Sequence, residues 1–220
     1  MQDQTAEIEW RAGGVPVSTR FDDPYFSLDN GVAETRHVFL AGNDLPVRFR
    51  GGFHIAELGF GTGLNFLVAL EAFRAAGCAG KLMFTSFEAY PLAMVDLRAA
   101  LAAFDGLPVG VLAGEEAFPT VLEGDDFALT VIAGDARVAL PAWEGRADAW
   151  FLDGFSPAKN PELWSPELMA EVARHTVPGG SAATYTAAGF VRRGLEAAGF
   201  TVTRGPGFGR KRHMTRAVLP

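Results

Sequence analysis

A glycine-rich segment between an apolar strand and an amphipathic helix constrains this chain most. The segment covers residues 55–66 and reads IAELGFGTGLNF. Its glycines, Gly59, Gly61 and Gly63, stand at alternate positions, so the backbone can turn tightly and bring N–H groups close to a ligand. Apolar residues then recur at helical spacing over 64–73. The pattern predicts the nucleotide-binding turn of an α/β fold.

The spacing of these glycines differs from the dinucleotide-binding fingerprint, in which two residues separate the second and third glycines. Here only Thr62 separates Gly61 from Gly63. An acid, Glu57, precedes the first glycine; it would repel a pyrophosphate but can reach, directly or through water, the ammonium group of an amino-acid ligand. The E-x-G-x-G-x-G pattern resembles that of S-adenosylmethionine-dependent methyltransferases. For this segment alone, a glycine-rich turn that binds nothing stays open as an alternative.

Acidic residues follow two further predicted strands. Glu88 ends the strand 82–88, where a doubly wound fold places the acid that accepts hydrogen bonds from ribose hydroxyls. Asp135 follows the strand 127–132 and either accepts from an adenine amino group or caps a short helix that begins at Ala136. The predicted cofactor site comprises Glu57, Gly59, Phe60, Gly61, Thr62, Gly63, Asn65, Glu88, Asp135, Ala136 and Asp153.

Alternation of strands and helices from residue 53 onward predicts a doubly wound, Rossmann-like α/β domain with a mainly parallel sheet. The predicted strands are 53–58, 82–88, 127–132, 148–153 and 181–186, and the helices are 64–76, 92–103, 162–176 and 188–198. Two extended pieces, 200–204 and 213–219, follow each other too closely for a crossover helix, so they should form an antiparallel C-terminal hairpin. The methyltransferase domain is expected to span 53–220.

Residues 1–52 are predicted to form an N-terminal extension packed on that domain. Short extended pieces are expected near 8–10 and 16–20, and a short helix over 34–40. Several aromatic residues nearby favour a satellite core over a lid; they are Phe21, Tyr25, Phe26 and Phe39.

Composition limits the classes of function. The chain has 220 residues and a net charge of -7, but residues 188–220 carry +6 and the remainder -13. A basic end on an acidic body can direct a polyanion to one face, although charge alone fits an ordinary solvated surface equally well. No apolar run approaches the roughly 20 residues that span a bilayer, so a cytoplasmic protein without membrane contact is expected. The single cysteine, Cys78, indicates neither a disulfide nor a metal site.

The run from 149 to 164 delivers an acid, Asp153, from a buried strand into a proline-bounded loop. A primary amine that accepts a methyl group must lose a proton, and a carboxylate beside it can orient the nucleophile and receive that proton. Asp153 is the candidate for this role. Aromatic rings such as Phe155, Phe60 or Tyr185 could stabilise the positive charges of the sulfonium methyl donor and of the reacting amine. Asn160-Pro161 is similar to the start of the Asn/Asp-Pro-Pro-aromatic loop of amino-methylating enzymes but lacks its second proline and its aromatic residue. Asn160 is therefore not assigned the role of the Asn in that loop.

Several runs together resemble the methyltransferase domain of bacterial tRNA 5-methylaminomethyl-2-thiouridine biosynthesis enzymes, over nearly the whole chain. They lie at 18–26, 34–40, 42–46, the glycine loop, 153–164, 184–189 and 207–212. The resemblance implies that S-adenosylmethionine is the methyl donor and that the aminomethyl group of the tRNA wobble uridine is methylated. It also implies that this chain carries only methyl transfer, without the flavin-dependent oxidase domain of many family members and without a metal.

The partner implied by the resemblance is the anticodon stem-loop of a tRNA, with its wobble base turned into the pocket. Basic side chains near the C-terminus and the active loop would contact its phosphates. The predicted substrate-binding residues are Phe155, Lys159, Tyr185, Arg192, Arg193, Arg210, Lys211 and Arg212.

Two other classes of function stay open at this point. One is a methyltransferase of a small-molecule or protein amine; the other is a non-catalytic subunit that binds S-adenosylmethionine or RNA. The intact glycine loop and strand-end acids argue against the second. A nicotinamide-dependent oxidoreductase is least favoured because of the glycine spacing, Glu57 and the terminal hairpin. No histidine is assigned to catalysis.

Overall fold

The chain forms an eight-stranded sheet with helices on both faces and a small three-stranded sheet near its N-terminus. A computed structural model describes residues 5–11, 13–27 and 30–220. The strands are β1 (Ile8–Arg11), β2 (Val15–Ser18), β3 (Asp23–Pro24), β4 (His54–Leu58), β5 (Leu82–Glu88), β6 (Val121–Glu123), β7 (Phe127–Ala133), β8 (Ala147–Leu152), β9 (Thr176–Thr184), β10 (Thr201–Pro206) and β11 (His213–Val218). The α-helices are α1 (Gly31–Thr35), α2 (Leu64–Ala75), α3 (Met94–Leu101), α4 (Gly110–Ala113), α5 (Ala136–Ala142), α6 (Pro166–Arg174) and α7 (Gly189–Ala197).

The large sheet has the strand order β10-β11-β9-β8-β4-β5-β7-β6. Its five central strands, from β9 to β7, are parallel. One face packs on a core that includes the apolar side of α2 and α3, and the other face packs on residues of α5, α6 and α7. These findings confirm the predicted doubly wound α/β fold.

The C-terminal hairpin is antiparallel, as predicted. β10 and β11 pair from Thr201–Val218 to Pro206–His213, and β11 also pairs antiparallel with β9. β11 therefore lies inside the sheet and β10 forms its edge. The opposite edge is β6, a three-residue strand that the sequence analysis did not predict; two of its residues are exposed, so it lacks the apolar run that marks the central strands.

Two predicted elements begin at least about four residues away from where the structure has them. The helix predicted over 162–176 is divided into a 3-10 turn at Pro161–Trp164 and α6 at Pro166–Arg174. Pro166 restricts the preceding residue to an extended conformation, and Ser165 adopts it with ψ 150° while its side chain caps α6. The strand predicted over 181–186 instead covers Thr176–Thr184, with a register shift against β8.

The N-terminal residues contribute side chains that reach the main sheet. α1 continues into a π-helical turn (Arg36–Leu40) and a 3-10 turn (Ala41–Asn43). Buried Asn43 donates to the Trp150 carbonyl of β8 and accepts from the Ser181 hydroxyl of β9. The predicted domain boundary between residues 52 and 53 stays a prediction. Among the described residues, no helix is long and apolar enough to cross a membrane.

Candidate active site

The candidate site lies where the strand order reverses, between β4 and β8. Leu58 of β4 pairs with Leu152 of β8 on one side and with Phe87 of β5 on the other. The carboxyl ends of these strands therefore meet, which is where open α/β sheets bind ligands. A cavity of about 680 Å³ opens there. That volume is within the range of about 300–1,000 Å³ that is typical of small-molecule and cofactor sites.

The glycine loop forms one wall of this cavity and needs its glycines. All three have positive φ, at 91° for Gly59, 54° for Gly61 and 74° for Gly63. A Cβ on Gly63 would stand 2.5 Å from Leu112 Cδ1, which is closer than carbon atoms can approach. Gly59 and Gly61 line the cavity directly. Gly63 lies outside the cavity lining, next to the side chains of Leu112 and Phe60, and directly precedes α2.

Glu88 fixes the outer part of the loop. Its carboxylate accepts hydrogen bonds from the Gly61 N–H at 2.9 Å and from the Tyr90 N–H at 2.7 Å. Burial raises the pKa of the Glu88 carboxyl, and these backbone donors oppose that effect by stabilising its charged form. Glu88 lines the cavity, and each carboxylate oxygen has a second lone pair for a ligand hydroxyl.

Asn65, in the first turn of α2, bridges two acidic side chains. Its Nδ2 donates to Glu57 Oε1 at 2.8 Å and to Asp153 Oδ2 at 2.7 Å. The other Glu57 oxygen accepts from the Ser86 hydroxyl at 2.8 Å. Glu57 is completely buried and does not line the cavity, whereas Asn65 does. The structure therefore places Glu57 behind Asn65, and its predicted contact with an ammonium group stays a prediction.

Asp153 lies at the centre of the cavity wall, next to the glycine loop. Burial is the main cause that raises the pKa of its carboxyl from 3.8 to about 7, and the hydrogen bond from Asn65 opposes the rise. Glu34 and Asp23 raise the pKa of Asp153 further, and Lys211 lowers it. A carboxyl with this pKa changes protonation near neutral pH, as a proton acceptor in catalysis requires.

Asp135 caps α5, which was one of its two predicted roles. Its side chain accepts from the Arg137 N–H at 2.9 Å and forms an ion pair with the Arg137 guanidinium. The hydrogen bond from the Arg137 guanidinium is the main cause that lowers the pKa of the Asp135 carboxyl, and the bond from the Arg137 N–H lowers it further. Asp135 and Ala136 both line the cavity. The predicted adenine contact of Asp135 stays a prediction.

The loop after β8 is held over the cavity by its own side chains and by the N-terminal segment. Trp164 Nε1 donates to the Phe155 carbonyl at 2.9 Å, and the Tyr185 hydroxyl donates to the Gly154 carbonyl at 2.8 Å. The Ser156 N–H donates to the Asp23 carboxylate at 2.8 Å. Asp23 stands in β3, so residues far apart in sequence form this rim together.

Aromatic residues of the N-terminal segment both line the cavity and pack on the hydrophobic core. The core position that the sequence analysis favoured holds for Phe39, which is buried in the core, and for Tyr25 and Phe26, which pack against it. Phe21, Tyr25, Phe26 and Phe39 are all part of its wall. Phe21 stacks on Phe155 with ring centroids 4.8 Å apart, and Tyr25 meets the same ring edge-on at 5.2 Å. Of the sequence signals, the resemblance runs at 18–26 and 34–40 pointed to function in this region.

The predicted substrate-binding residues divide into two groups. Phe155, Tyr185, Arg210 and Lys211 line the cavity, whereas Lys159, Arg192, Arg193 and Arg212 lie outside its lining. Lys211 Nζ stands 2.7 Å from Glu34 Oε1 and 4.0 Å from the centroid of the Tyr185 ring. Lys159 forms an ion pair with Asp22 and contacts its carbonyl. That pairing makes Lys159 less available to a phosphate than the exposed Arg212.

The chain is similar in sequence to known methyltransferases and tRNA-modifying proteins. The sequence model of a family of S-adenosyl-L-methionine-dependent methyltransferases matches residues 111–220. A tRNA 5-methylaminomethyl-2-thiouridine biosynthesis bifunctional protein MnmC from Pseudomonas aeruginosa (strain UCBPP-PA14) is 48% identical over 96% of the chain. The protein of the same name from Caulobacter sp. (strain K31) is 44% identical over the whole chain.

The chain belongs to this methyltransferase family. It spans 34% and 39% of the length of those two relatives. The crystal structure of MnmC2 from Aquifex aeolicus is also similar, with 27% identity, a TM-score of 0.76, and coverage of 99% of this chain and 72% of that one.

The residues of the cavity fit S-adenosylmethionine, the cofactor of the family. The left-handed glycines keep the wall next to Asp153 free of side chains, since a Cβ on Gly59 would lie 3.0 Å from the Asp153 carbonyl. Glu88 and Asp135 offer acceptors along the same wall. When bound, this cofactor supplies an electrophilic methyl group. No group of three or more His, Cys, Asp or Glu suited to a metal ion occurs among residues 5–11, 13–27 and 30–220.

Proposed function

We propose that this methyltransferase transfers a methyl group to the aminomethyl nitrogen of a modified uridine at the wobble position of tRNA. The names of its relatives support this substrate, and the observation that carries the proposal is Asp153. A partly buried carboxyl with a pKa of about 7 lines the cavity beside the glycine loop. An amine substrate needs such a group, whereas a substrate without a proton to lose does not.

Asp153 would orient the amine and accept its proton. Methylation of a primary amine forms an N–C bond and breaks the methyl–sulfur bond of the donor, and one proton leaves the nitrogen. Ionised Asp153 accepts a hydrogen bond from the amine, aims its lone pair at the methyl group and takes the proton. Phe155 and Tyr185 line the same cavity and would stabilise the positive charge of the amine through their ring faces.

The RNA would lie across the cavity mouth. Arg210 and Lys211 reach the cavity lining, and Arg212 follows them in the same exposed turn between β10 and β11. Arg192 and Arg193 lie in α7, which packs beside β10. In this proposal these cations contact phosphates of the anticodon stem-loop and position it without reading sequence. Such a substrate places the enzyme in the cytoplasm, the location expected from the sequence.

The test is methyl transfer from labelled S-adenosylmethionine to tRNA from cells that lack this modification step. The proposal expects label on 5-aminomethyluridine after digestion to nucleosides, and a loss of about a hundredfold or more for Asp153→Asn. Asp125→Asn is the matched control, because Asp125 is exposed and lies outside the cavity lining. Tight donor binding without label on any tRNA would contradict the substrate and redirect the search to small-molecule or protein amines.

A further inference from the structure

Thr35 is the point at which the N-terminal segment enters the catalytic network. Its hydroxyl donates to Asn65 Oδ1 at 2.8 Å, and only 3% of its surface is exposed. Asn65 is also buried. The Asn65 amide therefore has three partners: one donor, Thr35, at its oxygen and two carboxylates, Glu57 and Asp153, at its nitrogen.

The two carboxylates determine which way the Asn65 amide points, and the Thr35 hydroxyl holds the amide oxygen in that orientation. An amide carries its acceptor and its donors on opposite sides. If the amide turned over, its oxygen would face Glu57 and Asp153 and repel them when either is ionised, so both carboxylates would lose a donor. In the observed orientation, the Thr35 hydroxyl donates to the amide oxygen and thereby makes the amide N–H groups stronger donors to the two carboxylates.

We propose that Thr35, acting through Asn65, is a positioning residue that fixes the Asp153 carboxylate in its reactive orientation and favours its ionised form. The inference rests on the proposed role of Asp153 as proton acceptor. It gives the N-terminal segment a part in catalysis rather than in packing alone. Thr35 itself does not touch the reacting atoms: Asn65 stands between its hydroxyl and Asp153.

Other charged groups also act on Asp153 and must be separated from this effect. Glu34 of α1, Asp23 of β3 and Lys211 of the terminal hairpin influence its pKa. Glu57 and Tyr185 respond to the charge of Asp153 in turn. Glu34 is the neighbour of Thr35 and raises the pKa of Asp153, so removal of its charge moves that pKa in the opposite direction to loss of the Asn65 donor.

The experiment compares Thr35→Val, Thr35→Ser and Glu34→Gln in the full chain. Valine has nearly the shape of threonine but lacks the hydroxyl, while serine retains it. The titration midpoint of Asp153 is measured by carboxyl carbon NMR without tRNA or donor, with the signal assigned by its loss in Asp153→Asn. The pH profile of kcat for methyl transfer is measured in parallel.

Thr35→Val is expected to raise the Asp153 midpoint by about half a pH unit, which lowers kcat about twofold at about pH 7, about threefold below about pH 6 and much less at alkaline pH. Thr35→Ser should restore the wild-type profile, and Glu34→Gln should lower the midpoint. A wild-type midpoint in folded Thr35→Val, or a loss of kcat that is uniform across pH, would overturn the inference. If the NMR shift occurs but the wild type fails to label tRNA, the inference on Asp153 stands and the proposed substrate falls.

Discussion

The raised pKa of Asp153 predicts that this carboxyl destabilises the fold near neutral pH. Burial raises the pKa of this carboxyl from 3.8 to about 7. The folded protein therefore binds this proton more tightly than the unfolded chain does. Between about pH 4 and pH 7 the folded state holds more protons, so stability falls as pH rises through this window and stays low above it.

The size of the effect follows from the pKa difference. At about 1.4 kcal/mol per pH unit, the rise corresponds to about 4 kcal/mol of lost stability above neutral pH. This is an upper limit, because the Asp153 side chain is only partly buried and solvent stabilises its ionised form. Asp153→Asn removes the titrating group and keeps an oxygen that accepts from Asn65. The variant is thus expected to be more stable than the wild type at about pH 8, by about 1–4 kcal/mol.

Urea unfolding at several pH values tests this prediction. Tryptophan fluorescence is a suitable signal because Trp150 and Trp164 are buried. The difference in unfolding free energy between Asp153→Asn and the wild type should shrink as pH falls from about 8 to about 5. Glu57 and Glu88 also have raised pKa values, but both proteins contain them. A difference that stays constant within about 0.5 kcal/mol across this range, as expected for the exposed control Asp125→Asn, would refute the reasoning.

Three further predictions concern the glycine loop, Glu88 and the proposed RNA surface. Gly63→Ala should cost about 2–4 kcal/mol of stability and weaken S-adenosylmethionine binding, because the new Cβ clashes with Leu112. The control Gly77→Ala, with a similar φ of 65° and no atom within 4 Å of its Cβ, should cost about 1 kcal/mol. Urea unfolding and calorimetry compare the two variants, and equal costs would disprove the clash. Glu88→Gln should weaken S-adenosylmethionine binding by about tenfold in calorimetry, and an unchanged affinity, like that of the control Glu123→Gln in β6, would count against the ribose contact. The double variant Arg210→Ala/Arg212→Ala should reduce tRNA affinity and lower the slope of log affinity against log salt concentration by about two. The control is Lys81→Ala, since the Lys81 side chain pairs with Glu123. Equal slopes for the double variant and this control would exclude the two phosphate contacts.

The spacing of apolar residues, together with the glycines and polar loops between them, was enough to predict the parallel strands of the large sheet. β5 covers the predicted residues, and the strands and helices from β4 to β11 follow the predicted alternation, because long apolar runs between glycines and polar loops leave few other structures. The two antiparallel final strands were also predictable, since a short loop cannot contain a crossover. The sequence missed β6 and α4, which have three and four residues and too little periodicity to detect.

By itself, the sequence determined the glycine loop, the acids at the ends of β5 and β8, and the doubly wound order that brings them together. Only the tertiary structure decided that Glu57 stands behind Asn65, that Phe21 and Tyr25 form the cavity wall, and that Thr35 reaches the network from α1. The physical reason is separation along the chain. Strand-end positions follow from local patterns, whereas the hydrogen bond between Thr35 and Asn65 joins residues 30 positions apart and depends on how the N-terminal segment packs against α2.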